Sequence, residues 1–313
     1  MNNLIEILEK DRILFKKLED DDILGSFYEE SNIMKIVSRN IKKLPNEILN
    51  LDYFHNIKIL TLNNNNISMM NYFPENLEIL NINYNTLTKI SNLPKTLKCL
   101  SAEKNNLNIL PELPFGLLEL YINNNNFTNI NLSDTNLKKV SLSSNLFKDF
   151  GDIKLPHTLV ELICCSNFEP LYNINIQLPN IEHIDMKNNQ IKDFKCNDTI
   201  KYLNLFNNLL TQIDEYPCLK KLNIGKNKLN DLSIKSNNFE ELYCSSNNIS
   251  NLNIKSNKCS IVCACNNRIE NLINIPNSIV YLNCLGNPIK YLSLPEYCTE
   301  LLIDSDTIEY INI

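Results

Sequence analysis

The stretch Leu107–Phe127, which reads LNILPELPFGLLELYINNNNF, decides the fold of this chain. Within it Leu117, Leu120, Ile122 and Asn125 follow the order L-x-x-L-x-L-x-x-N-x-L, and a Pro-x-x-Pro segment leads into them. Almost every other part of the chain is a copy of this unit. Because a short repeat can bury its apolar side chains only against its neighbours, the sequence predicts a solenoid.

The asparagine of the unit recurs at intervals of 19 to 22 residues, with apolar residues eight, five and three positions before it. A degenerate opening copy covers 33 to 44, where Asn40 stands near the turn position, and Asp306 replaces the asparagine in a final copy. A random chain does not keep asparagine in step with apolar residues over so many copies. The asparagines in register are Asn65, Asn85, Asn105, Asn125, Asn145, Asn167, Asn189, Asn208, Asn227, Asn247, Asn267 and Asn287.

The spacing inside each copy predicts its local structure. The L-x-L pair, for example Leu60 and Leu62, alternates with period two and so indicates a short strand with both leucines inward. Strands of successive copies are expected to stack in parallel about 4.8 Å apart. The asparagine amide can both donate to and accept from the backbone of a buried turn, so its loss should cost about 1–3 kcal/mol. Cysteines at inward strand positions act as small apolar side chains; these are Cys164, Cys244 and Cys284.

The phrase LPxLPxxLxxLxxxxN resembles the short leucine-rich repeats of bacterial effector proteins delivered into host cells. The resemblance covers 57 to 306, although the middle copies between Asn131 and Asn189 lack the double proline. It implies an α/β-type repeat solenoid, a right-handed leucine-rich-repeat superhelix with a parallel β-sheet on its concave face. Prolines remove a donor and fix an extended backbone, so the convex segments should be extended or 3₁₀.

The start of the repeat pattern divides the chain into an N-terminal helical cap, 1–32, and a leucine-rich-repeat solenoid, 33–313, of about 13–14 copies. In the cap, apolar residues recur at helical spacing from Leu4 to Leu18 and predict an amphipathic helix. The acidic run Glu19–Asp22 opposes the helix dipole and should end it. The helix either covers the first repeat or binds a separate partner.

Composition excludes several classes of function. A net charge of −6 and a pI near 5.3, with scattered lysines, argue against a nucleic-acid surface. The first apolar run contains five charged residues from Glu6 to Arg12, which excludes a secretory signal or a membrane helix. Eleven irregularly spaced cysteines fit a reducing compartment. The sequence therefore predicts a cytoplasmic protein without nucleic-acid or membrane partners.

Side chains between the inward strand positions should line the concave face. They are mostly polar in the first half of the chain, with Tyr121 as the exception, and become apolar and aromatic in the second half. Exposed patches of this kind mark interaction sites, and tyrosine is favoured at their centres. The alternative is drift under a biased composition, with no partner bound there. The candidate partner-binding residues are Tyr202, Phe206, Tyr243, Ile261, Cys263, Tyr281 and Leu285.

No catalytic or metal site is predicted. Cys263 and Cys265 place two thiols on one strand face, but a metal site needs about four converging ligands. His183 and Asp185 share a strand face, yet no nucleophile with a plausible partner lies nearby, and an exposed histidine on a solenoid is usually a surface residue. The chain is therefore expected to act without cofactors and not as an enzyme.

The leading hypothesis is a non-enzymatic adaptor that binds a partner protein through the concave face. An alternative is a substrate-recognition subunit that recruits a ubiquitin ligase through the N-terminal helix. A third class, an extracellular receptor for sugars or microbial ligands, is disfavoured because no signal peptide is found. The Asn-, Ile- and Lys-rich composition is similar to that of leucine-rich-repeat proteins of amoebae and their giant viruses, which implies a host–virus interaction in the host cytoplasm.

Overall fold

The first residue of the L-x-L pair lies in the middle of a short strand, and in most repeats it is buried while its two neighbours in the strand are partly exposed. The strand Ile59–Thr61 shows the arrangement, since Leu60 is buried between two half-buried neighbours. Period-two alternation produces it, because successive side chains of a strand point to opposite faces. The computed structural model describes residues 27–28, 32–44, 52–167, 173–273, 275–304, 306 and 308–312.

Contacts divide the chain into two compact units. The N-terminal unit is Met1–Leu146 with Ile153–Pro156, and the C-terminal unit is Phe147–Asp152 with His157–Ile313. The helix predicted up to Leu18 lies outside the described residues. The division of the chain into 1–32 and 33–313 stays a prediction.

The main sheet of the N-terminal unit is built from one strand per repeat. Neighbouring strands pair in parallel, so that Leu60, Leu80 and Leu100 stand opposite one another in successive repeats. The strand Phe27–Tyr28 pairs antiparallel with the first repeat strand, Ile33–Lys35, so that Phe27 lies opposite Met34. The strands are Phe27–Tyr28, Ile33–Lys35, Ile59–Thr61, Ile79–Asn81, Cys99–Ser101, Glu119–Tyr121 and Lys139–Ser141.

The C-terminal unit continues the same design with parallel pairing throughout its main sheet. Leu203, Leu222 and Leu242 occupy equivalent buried positions. Its strands are Glu161–Ile163, His183–Asp185, Tyr202–Asn204, Lys221–Asn223, Glu241–Tyr243, Ile261–Cys263, Tyr281–Asn283 and Glu300–Leu302.

Where the structure describes them, most segments that follow the asparagine turns are extended, as the prolines predicted, and several also pair as short parallel strands. In the N-terminal unit these are Met69–Met70 with Lys89–Ile90 and Ile130–Asn131 with Ile153–Lys154. In the C-terminal unit they are Asn173–Ile176 with Asp193–Cys196, Asp231–Ile234 with Asn251–Ile254, and Asn271–Leu272 with Tyr291–Ser293 and Tyr310–Asn312. This pairing was not predicted; it arises because extended backbones about one repeat apart present matching N–H and C=O groups.

Within the described ranges, helix is limited to the 3₁₀ segments Asp52–Asn56 and Phe150–Asp152 and to 3₁₀ geometry at Asp306. None of the helices in that part of the chain has the length and apolar character needed to cross a bilayer. The parallel-strand solenoid with extended or 3₁₀ connections is confirmed.

The asparagine turn has the same hydrogen bonds in repeat after repeat. Asn125 donates from Nδ2 to the carbonyls of Ala102 (2.9 Å) and Ile122 (3.1 Å), and its Oδ1 accepts from the backbone N of Leu107 (3.0 Å). The predicted double role as donor and acceptor is therefore confirmed. The residue before the asparagine adopts a positive φ, for example Asn124 at 54°. After glycine, asparagine tolerates this left-handed conformation best, which suits the asparagine-rich turns.

Candidate functional site

The outward face of the main sheet carries the first and third residues of each strand and the residue two positions further on. In the C-terminal unit the parallel register aligns these side chains in three columns that run across the strands. The first column contains Tyr202, Lys221, Glu241, Ile261 and Tyr281, each opposite the next. This face corresponds to the one that the sequence predicted to be concave.

Four of the seven predicted site residues, Tyr243, Ile261, Cys263 and Tyr281, lie on three adjacent strands, and a fifth lies just beyond them. Tyr243 stands opposite Cys263, and Ile261 stands opposite Tyr281. Leu285 follows the strand of Tyr281 and is 40% exposed. We call these five side chains the apolar patch.

Charged residues border the apolar patch in both directions across the sheet. In the first column Glu241 precedes Ile261, and Glu300 follows Tyr281. Glu241 is paired with Lys221 at 2.6 Å and accepts a hydrogen bond from the Tyr243 hydroxyl at 3.2 Å. Burial and the nearby carboxylate raise the pKa of Tyr243, which therefore remains a donor. The uncharged area is thus limited to the strands of residues 261 to 285 and the adjoining Tyr243.

The other two predicted residues, Tyr202 and Phe206, lie apart from the apolar patch. In the first column the ion pair of Lys221 and Glu241 separates Tyr202 from Ile261. The Tyr202 ring stacks on His183, with ring centroids 4.4 Å apart and planes inclined by 21°. Tyr202 and Phe206 therefore lie outside the apolar patch.

A shallow groove of about 320 Å³ lies at the stacked rings of Tyr202 and His183. His183, Asp185, Tyr202, Lys221 and Tyr243 contribute to its walls. Its lining mixes aromatic rings with charges of both signs, so it offers stacking and ion-pair contacts rather than an enclosed apolar cavity.

Phe206 covers the backbone of the next repeat at Gly225. A Cβ atom built on Gly225 would lie 3.1 Å from Phe206 Cδ2 and 3.1 Å from the Ser245 carbonyl oxygen. The absence of a side chain at Gly225 therefore allows the Phe206 ring to lie against the sheet, where it is only half exposed. Lys226 Nζ stands 5.4 Å from the centre of the same ring.

Gly225→Ala is expected to destabilise the protein by about 1 kcal/mol, at the low end of overpacking effects because the ring can move. Chemical denaturation would measure the change. A double-mutant cycle with Phe206→Ala provides the control. Because the Ser245 contact remains, we expect partial relief of the penalty in the double variant; strict additivity would contradict the role of Phe206.

The residues considered for catalysis or metal binding make hydrogen bonds to neighbouring repeats and to nearby backbone. Asp185 accepts hydrogen bonds from the Cys165 thiol (3.1 Å) and the backbone N of Lys187 (3.1 Å), and the Cys265 thiol donates to Asn283. Within the described ranges, no cluster of three or more His, Cys, Asp or Glu side chains is arranged to hold a metal ion.

The inward cysteines are buried, as predicted. Cys164, Cys244 and Cys284 have no measurable solvent exposure. Burial raises the pKa of Cys164 and of Cys284 to about 12, and raises that of Cys244 well above its ordinary value. At neutral pH these side chains are therefore protonated apolar groups rather than reactive thiolates.

Sequence reasoning missed Val280, which is 41% exposed and directly precedes Tyr281. The backbone N atoms of both residues donate to the same carbonyl, that of Ser260, at 2.9 and 3.0 Å. The chain bends there, and two consecutive residues become accessible. Strict period-two alternation applies only inside the strand and so gave no signal for Val280.

No protein-family model and no curated protein matches the chain by sequence. Solved structures match it closely in fold. YopM, a leucine-rich effector protein from Yersinia pestis, has a TM-score of 0.75 at 19% identity, with 99% of this chain and 98% of that chain covered. An internalin from Listeria monocytogenes has a TM-score of 0.61 at 17% identity, with coverage of 99% and 94%. A chain of the LRIM1/APL1C complex has a TM-score of 0.62 at 24% identity, with coverage of 88% and 57%.

The fold and its repeated asparagine turn define a leucine-rich-repeat solenoid. The resemblance to the short repeats of bacterial effectors is confirmed at the level of fold.

Proposed function

We propose that this protein binds a partner protein through the outward face of its C-terminal unit, without catalysing a reaction. The observation that carries the proposal is the apolar patch, an uncharged group of side chains on a face that also carries ion pairs. On this face Lys221 pairs with Glu241 at 2.6 Å, and Lys187 pairs with Asp185 at 3.3 Å. An apolar centre with a charged rim is the usual composition of a protein interface.

The residue types of the apolar patch support a protein partner. Tyrosine is enriched among residues that contribute most to binding, and the patch presents Tyr243 and Tyr281 with Ile261 between their strands. An open and nearly flat surface suits another protein better than a small molecule, which usually needs a cleft. One solved structure with this fold is a complex, LRIM1/APL1C.

The setting that we propose is a reducing compartment such as the cytoplasm. Several cysteines, among them Cys164, Cys244 and Cys284, are free thiols buried in the apolar core. Free thiols persist where glutathione and thioredoxin keep them reduced.

Tyr243→Ala/Tyr281→Ala is expected to weaken partner binding by at least about tenfold, because each tyrosine loses a large contact area at the centre of the interface. Affinity capture from lysate with the immobilised protein, followed by mass spectrometry, would identify partners. Titration calorimetry with each purified partner would then measure the affinity.

Tyr72→Ala is the matched control, since Tyr72 is 65% exposed and lies in the N-terminal unit. Circular dichroism should show the same secondary structure in all three proteins. A partner that binds the double variant as tightly as the wild type would exclude the apolar patch as its binding site.

A further inference from the structure

The outward face of the N-terminal unit contains a second apolar feature. Ile33 stands opposite Ile59, Ile59 opposite Ile79, and Ile79 opposite Cys99 in four successive parallel strands. Ile79 is 38% exposed, and the other three are half-buried. We call these four side chains the N-terminal stripe. They occupy the first strand position, whereas the polar residues expected on this half of the chain occupy the third.

Lysines border the N-terminal stripe. Lys58, Glu78 and Lys98 directly precede three of its strands, and Glu78 contacts both lysines, at 3.3 Å from Lys58 and 2.6 Å from Lys98. Hydrogen bonds from these two ammonium groups lower the pKa of Glu78. Lys35 lies exposed at the opposite end of the strand Ile33–Lys35, as its third residue.

The three lysines outnumber Glu78, so this border has a positive net charge although the whole chain has a net charge of −6. Glu119 ends the stripe beyond Cys99 and accepts a hydrogen bond from the Tyr121 hydroxyl at 3.0 Å. Each lysine ammonium has three donors, so the contact with Glu78 leaves donors for an acidic ligand. Charge complementarity selects a partner with carboxylates beside its apolar residues.

The spacing of the stripe selects the conformation of that partner. Parallel strands lie about 4.8 Å apart, so the four side chains span about 14 Å across the sheet. One turn of an α-helix advances 5.4 Å, and residues three and four apart lie about 5–6 Å from each other. Alternate residues of an extended peptide are about 6.8 Å apart and fall out of step with the strands. A helix of about three turns matches the stripe, and two turns match the separation of Lys58 and Lys98.

We propose that the N-terminal stripe binds an acidic amphipathic helix of a partner protein. Its apolar residues, at i, i+3 or i+4, i+7 and i+10 or i+11, lie along Ile33, Ile59, Ile79 and Cys99. Its Asp or Glu residues, about seven positions apart, pair with Lys58 and Lys98. The contact is independent of the apolar patch in the C-terminal unit.

The test uses a displayed library of random 16-residue peptides, from which those that bind the full-length protein are selected. Peptides that also bind the Ile79→Asp variant are then removed. Ile79 is partly exposed, so this variant should keep its circular dichroism spectrum and thermal midpoint. We expect surviving peptides to show apolar residues with a period of about 3.6 and a negative net charge. Basic peptides, peptides with period-two alternation, or no survivors would overturn the proposal.

The best peptide would then be titrated by fluorescence anisotropy against charge-exchanged and control variants. Lys58→Glu/Glu78→Lys/Lys98→Glu keeps alternating charges next to the stripe but reverses their sign. We expect it to bind the acidic peptide at least about tenfold more weakly and to prefer the same peptide with lysines in place of its acidic residues.

Tyr281→Ala, in the C-terminal unit, should bind the acidic peptide like the wild type. If the Tyr281→Ala variant did not bind the peptide, the peptide would be assigned to the apolar patch, and the proposal for the stripe would be wrong. Sedimentation equilibrium tests a different occupant: a dimer of the wild type that Ile79→Asp dissociates would show that a second copy covers the stripe, which would also overturn the proposal.

Discussion

Replacing Asn125 with alanine is expected to lower the free energy of unfolding by about 2–4 kcal/mol, because several buried hydrogen bonds disappear at once. The side chain is only 4% exposed. Its Oδ1 accepts from the backbone N of Leu107, and its Nδ2 donates to the carbonyls of Ala102, Ile122 and Asn123. Alanine leaves the buried Leu107 N–H without its acceptor, which alone costs about 1–3 kcal/mol. It also removes one of the two donors to the Ala102 carbonyl, which keeps its hydrogen bond from Asn105 Nδ2 at 3.2 Å.

The matched control is Asn126→Ala, because Asn126 is the next residue in the same turn and is exposed. We expect it to change the free energy of unfolding by less than about 0.5 kcal/mol. Urea denaturation followed by circular dichroism would compare the two variants, and amide hydrogen exchange at Leu107 would report local opening of the turn. Equal stability of both variants would show that the asparagine is a matter of composition rather than structure.

The parts of the fold that were predicted are those in which burial constrains each residue. The inward position of Leu60, the turn at Asn125 and the burial of Cys244 all follow from spacing within one repeat, because a misplaced side chain there would lose its apolar contacts or its hydrogen bonds. The same constraint makes the repeat visible in the sequence. Such features are local and are repeated many times, so one sequence is enough to recognise them.

The outward face was predicted less well because its residues are not constrained by burial. Ile59 and Ile79 become meaningful only when the register places them side by side, and each alone is an ordinary surface isoleucine. The ion pair of Lys221 and Glu241, which separates Tyr202 from the apolar patch, likewise depends on pairing between repeats. Pairing of the extended segments, such as Met69–Met70 with Lys89–Ile90, was also missed, since no side-chain pattern marks it.

Alkaline pH is expected to destabilise the C-terminal unit far more than the N-terminal unit. A thiol has an ordinary pKa of 9.0, and burial raises this value to about 12 for Cys164, Cys196, Cys259 and Cys284. Above pH 9 the unfolded chain therefore releases protons that the folded chain retains, so the stability falls as the pH rises. At pH 10 each of these thiols therefore lowers the free energy of unfolding by about 1 kcal/mol.

With Cys244, whose pKa burial raises well above 9.0, five thiols of the C-terminal unit contribute, and the total is on the order of 5 kcal/mol at pH 10. The N-terminal unit contains a single cysteine, Cys99. The protein should therefore lose stability between pH 9 and 10 with a slope of several protons. The ion pair of Lys290 with Glu270, which raises the pKa of that lysine, persists in this range.

Urea denaturation under reducing conditions from pH 7.5 to 10 would measure this slope, and pulse proteolysis with mass spectrometry would assign the loss to a unit. Cys284→Ala should lower the stability at neutral pH, because it leaves a cavity, but should reduce the alkaline slope by about one proton. Cys218→Ala is the control, since Cys218 is exposed and its removal should leave the slope unchanged. A free energy of unfolding that stays constant from pH 8 to 10 would mean that the inward thiols ionise without unfolding, and hence that the core of the C-terminal unit admits water around them.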